Sequence, residues 1–301
     1  MKPILLIYAG LLMFILPACS QNKGDNQFNY LGQQPVGKVA KQFAPDILPK
    51  KGEYAFGSVF NKDVTEFYYA VVVNGKEEIR QSRLIDDQWT MPETILVHDR
   101  YGYNDPFLSP DENRLYFISK RALDGVGAIK DYDIWYVDRL AEGWSEPVNV
   151  GANINSERNE YYISFTKDGT LYFASNINAP QVQGDDFDIY SSKYVNGIFE
   201  KPVRLSDAIN TQHYEADVFI DPDESYVIFA ANRPDGKGRG DLYISFKKPD
   251  GSWTPSKNMG SQINTSGHEL CPYVSADKKY FFYTSDGAIY WVSTEIVEEL
   301  R

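Results

Sequence analysis

The sequence predicts an all-β protein: a single β-propeller of four-stranded antiparallel blades, five counted and six possible, closed by an N-terminal outer strand. Three observations predict it. Aromatic residues make up 15% of the 301-residue chain, with 22 tyrosines among them. Short alternating apolar runs broken by Gly, Asn, Asp and Pro dominate, and helix-period stretches are nearly absent. A pattern of about 54 residues occurs five times, marked by turn aspartates at 63, 111, 168, 223 and 277, and self-similarity at such a period signals a repeat architecture.

Each repeat holds three blocks in fixed order. The first is an apolar strand, a turn containing Asp, and a second aromatic strand, as in Pro106 to Asp111 followed by Leu115 to Ile118. The second is an Asp followed by a β-branched or aromatic strand: Asp133-Ile134-Trp135, Asp188-Ile189-Tyr190 and Asp241-Leu242-Tyr243. The third sets an aromatic before Pro, as in Trp89 to Pro92, Trp144 to Pro147, Phe199 to Pro202 and Trp253 to Pro255. Proline is tolerated only at sheet edges, so this block is expected to be the outermost strand. Four strands per unit, repeated radially, make a propeller whose blades hide their aromatic faces against one another.

The fifth copy lacks the third block and ends in a short helix-like tail, Thr294 to Arg301. A ring needs the missing strand, or an edge stays open. Phe43-Ala44-Pro45 with Ile47 and Leu48 looks like that block, so residues near 38–48 are expected to close the last blade.

The first residues lie outside this pattern. Lys2, the apolar run Ile4 to Leu16 and the small residues before Cys19 are the marks of a signal peptide over residues 1–18. Leu16-Pro17-Ala18-Cys19 resembles the bacterial lipobox, which implies a diacylglycerol on Cys19 and cleavage just before it. Residues 19–29 are polar and aperiodic and read as a flexible tether, leaving residues 30–301 as the propeller domain. Ser20 follows the lipidated Cys, and resemblance to sorted lipoproteins then implies the outer membrane of a bacterial envelope. One acylated Cys anchors a chain to a bilayer without spanning it.

The repeats themselves, with Ser109-Pro110-Asp111, Leu115-Tyr116-Phe117, Asp223, Ile228-Phe229 and the following Asp-Ile-Trp/Tyr, look like the PD40 family. These are WD40-like repeats also found in the TolB propeller. The resemblance covers residues from about 30 to 293. The first copy departs most, since Asn61-Lys62-Asp63 lacks Pro and Gly and its second block is only Glu78-Ile79-Arg80.

Composition limits the function. The net charge of −12 becomes −13 once Lys2 is removed, and no basic cluster appears, which argues against nucleic acid. With Cys19 lipidated only Cys271 remains, expected as a buried structural thiol. Three histidines, at 98, 213 and 268, are too few and too scattered for a zinc motif. No metal and no cofactor is therefore expected.

The candidate site comes from a fourth recurring block. Ile-Asn-Ser/Thr-x3-Glu places Glu160, Glu215 and Glu269 eight residues before their turn aspartates, at the start of each inner strand and near one mouth of the central channel. Tyr103 holds the corresponding place in the second copy, with Asp105 two residues on. The Asn-Ser/Thr pair can cap a turn, and regular repetition favours scaffold duty for the glutamates. The functional reading is a ring of carboxylates joined by His213, His268, Tyr103 and Asp105, able to bind a cation, an amine or sugar hydroxyls. Asp133, Asp188 and Asp241 are expected to brace turns. The loops Lys120–Tyr132, Asn176–Phe187 and Asn232–Gly240 are the longest in their copies and the usual places for recognition.

Two functions follow as expectations. One is a non-catalytic binding or scaffold propeller, lipid-anchored in the envelope, presenting channel mouth and loops to a protein or glycan partner. The alternative is a glycan-active hydrolase or lyase using channel-mouth carboxylates, since glycosidases need paired carboxyl groups. No Gly-x-Ser-x-Gly elbow points to serine catalysis.

Overall fold

The computed structural model describes residues 30–50, 52–178 and 186–301. The segments expected to be signal peptide (1–18), lipidation site (Cys19) and tether (19–29) lie outside the described residues. Among the described residues, no helix is long and apolar enough to cross a membrane.

Five blades form, each with four antiparallel strands in the order inner, second, third, outer. The inner strands are Tyr54–Phe60, Asn104–Leu108, Glu160–Phe165, Tyr214–Ile220 and Glu269–Val274. The outer strands of blades 1 to 4 are Glu93–Leu96, Val148–Asn149, Val203–Arg204 and Lys257–Asn258. They start after the prolines of the third block rather than including its aromatics. Trp144 and Trp253 instead bridge back to Arg139 and Lys247 at the hairpin before the outer strand.

The fifth blade takes its outer strand, Lys41–Gln42, from the N-terminal segment, paired with Trp291 and Tyr290. The closure extends beyond those two residues. Phe43 donates its N–H to the Ile289 carbonyl at 2.8 Å, and Ser293 donates to Gly37 at 3.0 Å. Phe43 is fully buried, edge-on to Phe67, Phe282 and Trp291 at 5.1–5.5 Å. Tyr30, also buried, packs on Phe60 and Tyr280 and donates its hydroxyl to Asp277 at 2.7 Å. The expected closing strand is therefore present, and the helix-like tail folds as the single turn Glu295–Glu298.

Blade 1 differs from the others as its sequence did. Its third strand, Lys76–Ile85, is ten residues long and joins the second through Asn74-Gly75, with φ of 53° and 78°. Two successive positive φ values suit an Asn-Gly hairpin, so a tight turn replaces the long loop seen in blades 2 and 4.

A ring of backbone bonds ties the blades together. The residue eight before each turn aspartate donates its N–H to the preceding blade: Ala55 to Gly287, Tyr103 to Glu77, Glu160 to Tyr132, Glu215 to Phe187 and Glu269 to Gly240, at 2.8–3.3 Å. Three asparagines add side-chain brackets. Asn155, Asn210 and Asn264 each pair both amide atoms with the N–H and C=O of one residue in the preceding blade's third strand: Ile134, Ile189 and Leu242.

Candidate functional site

The inner strands begin at one face, called here the top, and end at the turn aspartates of the bottom face. Glu160, Glu215 and Glu269 stand at the predicted strand starts, but their side chains do not open onto the mouth. All three are fully buried. Glu160 accepts from the Ser156 N–H (3.1 Å), the Ser156 hydroxyl (2.7 Å) and the Ser175 hydroxyl (2.9 Å). Glu269 does the same with Thr265 and Ser285. Glu215 takes Thr211 and, in place of a serine, the Arg233 guanidinium at 2.9 Å. Each carboxylate thus folds back on its own blade rather than accepting from a neighbouring one. Burial pushes Glu160 up to about 7 and raises Glu215 as well.

His213 and His268 are half-buried in the loops just before Glu215 and Glu269. Burial, helped by Arg239, lowers the His268 pKa. Asp133 and Asp241 brace the turns before their third strands as expected, whereas Asp188 reaches across to the outer strand. Asp133 takes Lys130 and Asn149, Asp188 takes Arg204, and Asp241 takes the Lys237 and Gly238 N–H groups.

What converges on the axis is a different position, six residues before each turn aspartate. Gly57, Asp105, Tyr162, Asp217 and Cys271 occupy it, and all five have φ between 45° and 53°. Each sits at a bulge where the register of its inner strand shifts. A bulge re-aims a side chain, and left-handed backbone at non-glycine residues marks positions held by their surroundings. Non-adjacent blades meet here. Cys271 Sγ lies 3.6 Å from Asp105 Oδ1, and the Tyr162 hydroxyl donates to the Pro272 carbonyl at 3.0 Å. A Cβ on Gly57 would lie 2.8 Å from Asp105 Oδ1, so the glycine leaves the room that Asp105 fills.

The axis is filled, not an open channel. Phe107, Phe165, Phe219 and Tyr273 meet across it at 6.0–6.2 Å between ring centres. They floor a cavity of about 140 Å³ on the bottom face. Above this plug, Asp105 and Asp217 form a buried acid pair. Burial raises both pKa values, and the charge of Asp217 raises Asp105 further. The Cys271 thiol opposes the rise at Asp105, and the Cys271 backbone N–H opposes it at Asp217. Both carboxyl groups therefore keep their protons to higher pH than exposed aspartates do. Burial and these two carboxylates push the Cys271 thiol up, as suits the buried thiol expected there.

An aromatic row leads to this pair from the top. Tyr132 and Tyr161 lie 5.2 Å apart, Tyr161 stacks on Phe187 at 4.6 Å, and Phe187 meets Tyr214 at 5.4 Å. The three tyrosines are half-buried. Tyr132 is pushed up to about 12 by burial and by the charges of Glu77 and Asp105, and Tyr214 rises through burial and Asp217. The row therefore abuts the acid pair. The sequence reading named Asp105 but missed Asp217 and Tyr162. The signal was available: the same six-residue offset holds in all five copies, with residue type varying freely.

Among the described residues, no three His, Cys, Asp or Glu side chains are placed to hold a metal ion. Aromatic faces beside two carboxyl groups can hold a sugar ring and exchange hydrogen bonds with its hydroxyls.

The fold and this axial site define a five-bladed β-propeller with an acidic centre. No protein-family model and no curated protein matches the sequence. Solved structures of similar shape do exist. The chain is similar to a thermostable family-43 glycoside hydrolase at 15% identity and a TM-score of 0.52, covering 86% of this chain and 90% of that one. It is similar to TolB from Acinetobacter baumannii at 16% identity and a TM-score of 0.51, covering 80% of this chain. Only 54% of that TolB is covered, so the chain spans about half of its length. Hydrazine synthase of Kuenenia stuttgartiensis gives 13% identity and a TM-score of 0.51, with 80% and 37% covered. At these identities the likeness shows the fold.

Proposed function

We propose that the protein is a non-catalytic binding propeller of the bacterial envelope, built of PD40-type repeats and held by a lipid on Cys19, which takes a glycan at its top mouth. The observation that carries this reading is the aromatic row Tyr132, Tyr161, Phe187 and Tyr214 beside the Asp105–Asp217 pair. It breaks the fivefold regularity, whereas the repeated glutamates are taken up inside their own blades. Half-buried rings offer faces to sugar carbons, and a carboxyl group that burial keeps protonated can donate as well as accept. The lipid and the outer-membrane address rest on the Leu-Pro-Ala-Cys sequence and on Ser20. A Cys19→Ala variant is expected to leave the membrane fraction, and its retention there would remove the anchor from this account.

A second reading has one observation in its favour. Asp105 and Asp217 lie close enough for the charge of Asp217 to raise Asp105, and two neighbouring carboxyl groups are what acid–base glycoside cleavage requires. One experiment separates the readings. Wild type, Tyr161→Ala and Asp217→Asn are titrated with a panel of oligosaccharides while reducing ends are assayed. Saturable binding that weakens about tenfold in Tyr161→Ala, with no new reducing ends, supports the binding propeller. Turnover abolished by Asp217→Asn supports the enzyme.

A further inference from the structure

A cavity of about 680 Å³ lies between blades 1 and 2, where the repeat pattern fails. Counted back from the turn aspartates, the bracket asparagine, the Ser/Thr and the glutamate of blades 3 to 5 become His98, Asp99 and Tyr103 in blade 2. His98 turns inward to its own loop, accepting from the Arg100 N–H at 3.1 Å and stacking on Tyr101. Among the described residues no side-chain amide clamps blade 2 to the third strand of blade 1, where only the Tyr103 N–H reaches Glu77, and the cleft opens there. Arg121, Tyr103, His98, Gln81, Thr94 and Trp144 are among its walls. A cleft of this volume is in the range of small-ligand sites.

Arg121 gives the cleft its chemistry. It stands two residues past Ser119, which pairs with Asp133 at the start of the third strand. Arg233 stands at the same place in blade 4, two residues past Ala231, which pairs with Asp241. Arg233 is answered by Glu215 at 2.9 Å. In blade 2 the position of that glutamate is Tyr103, whose hydroxyl takes one Arg121 N–H at 3.0 Å but supplies no charge. Arg121 makes no ion pair among the described residues, though 20 such contacts occur elsewhere in this acidic protein. Its guanidinium is nonetheless held, near the rings of Tyr101 and Trp135 at 5.7 and 5.9 Å. A half-buried, positioned guanidinium facing a cleft is a fork for a carboxylate.

We propose that the cleft between blades 1 and 2 binds a small carboxylate-bearing molecule, whose carboxylate takes the place at Arg121 that Glu215 fills at Arg233. The site is separate from the axial one, so it stands or falls without it.

The test is calorimetric titration of the full chain with glucuronate, with N-acetylglutamate and with glucose, at low salt. The two acids distinguish a sugar acid from an amino-acid carboxylate, and glucose is the neutral control. Expected is saturable binding of at least one acid, none of glucose, and affinity that falls as salt rises. Arg121→Gln should weaken binding at least tenfold. Tyr103→Glu should abolish it by restoring the internal pair, and should leave the protein as stable as wild type or more so, which shows that the loss is not unfolding. Silence of both acids on wild type would overturn the proposal. So would binding unchanged in Arg121→Gln, or undiminished in a folded Tyr103→Glu. Tyr161→Ala, which tests the axial reading, should leave this binding unaltered.

Discussion

At the scale of single residues, the buried carboxyl groups set how the fold responds to pH. Asp105, Asp217 and Glu160 all have raised pKa values in the folded chain, chiefly through burial. A raised carboxyl holds a proton that the unfolded chain gives up. Its contribution to stability is therefore full below about pH 4 and is lost as pH rises through the raised value. The protein is expected to lose on the order of 2 kcal/mol or more between pH 5 and 8, read from urea midpoints. Asp105→Asn combined with Asp217→Asn should flatten much of that slope, leaving the share of Glu160. An unchanged slope in the double variant would show that the axial pair does not keep its protons to higher pH. At this scale the sequence was legible by position and not by orientation. Counting from the turn aspartate located Glu160, Glu215 and Glu269 correctly, because an offset fixes a place along a strand. It could not reveal that Ser156, Thr211 and Thr265 fold each carboxylate back, nor that a bulge turns Asp105 and Asp217 onto the axis.

At the scale of elements, closure depends on a strand of two residues. Lys41–Gln42 adds few ladder bonds, so its stability comes from what flanks it. Phe43 and Tyr30 are buried between blades 5 and 1 against Phe60, Phe282 and Trp291. Burying one aromatic side chain of this kind contributes about 3 kcal/mol or more, far beyond two ladder bonds. Deleting residues 30–48 is expected to abolish the single cooperative transition in thermal or urea unfolding. A truncated chain melting like its parent would refute closure by the N-terminal segment. The closing strand was readable because Phe-Ala-Pro repeats a block found in other copies. The exact outer strands were less so. The aromatic before each Pro belongs to the hairpin, since Trp144 bridges to Arg139 and lies under its guanidinium at 4.6 Å. The long third strand of blade 1 was hidden for another reason. Only Glu78-Ile79-Arg80 of it matches the repeated block, because Asn74-Gly75 replaces the loop and no Asp opens the strand.

At the scale of the whole molecule, regularity and its breaks divide the work. What recurs in each blade joins blades: the N–H eight before the turn aspartate bonds the previous blade in all five, and the Asn brackets do so in three. What varies gathers at the axis and at the junction of blades 1 and 2. The five bulge residues are Gly, Asp, Tyr, Asp and Cys, and a shared backbone conformation carries five unlike side chains to one point. The blade count of five settles what the repeats left open between five and six. The measurement that tests the central claim most directly is an amide-exchange footprint of the oligosaccharide complex. The account predicts protection at the top of blades 2 to 4, around residues 104–107, 132–134, 160–163 and 214–217, with the bottom turns near 111, 168 and 223 unchanged. Protection confined to those bottom turns, or to the outer strands, would contradict it.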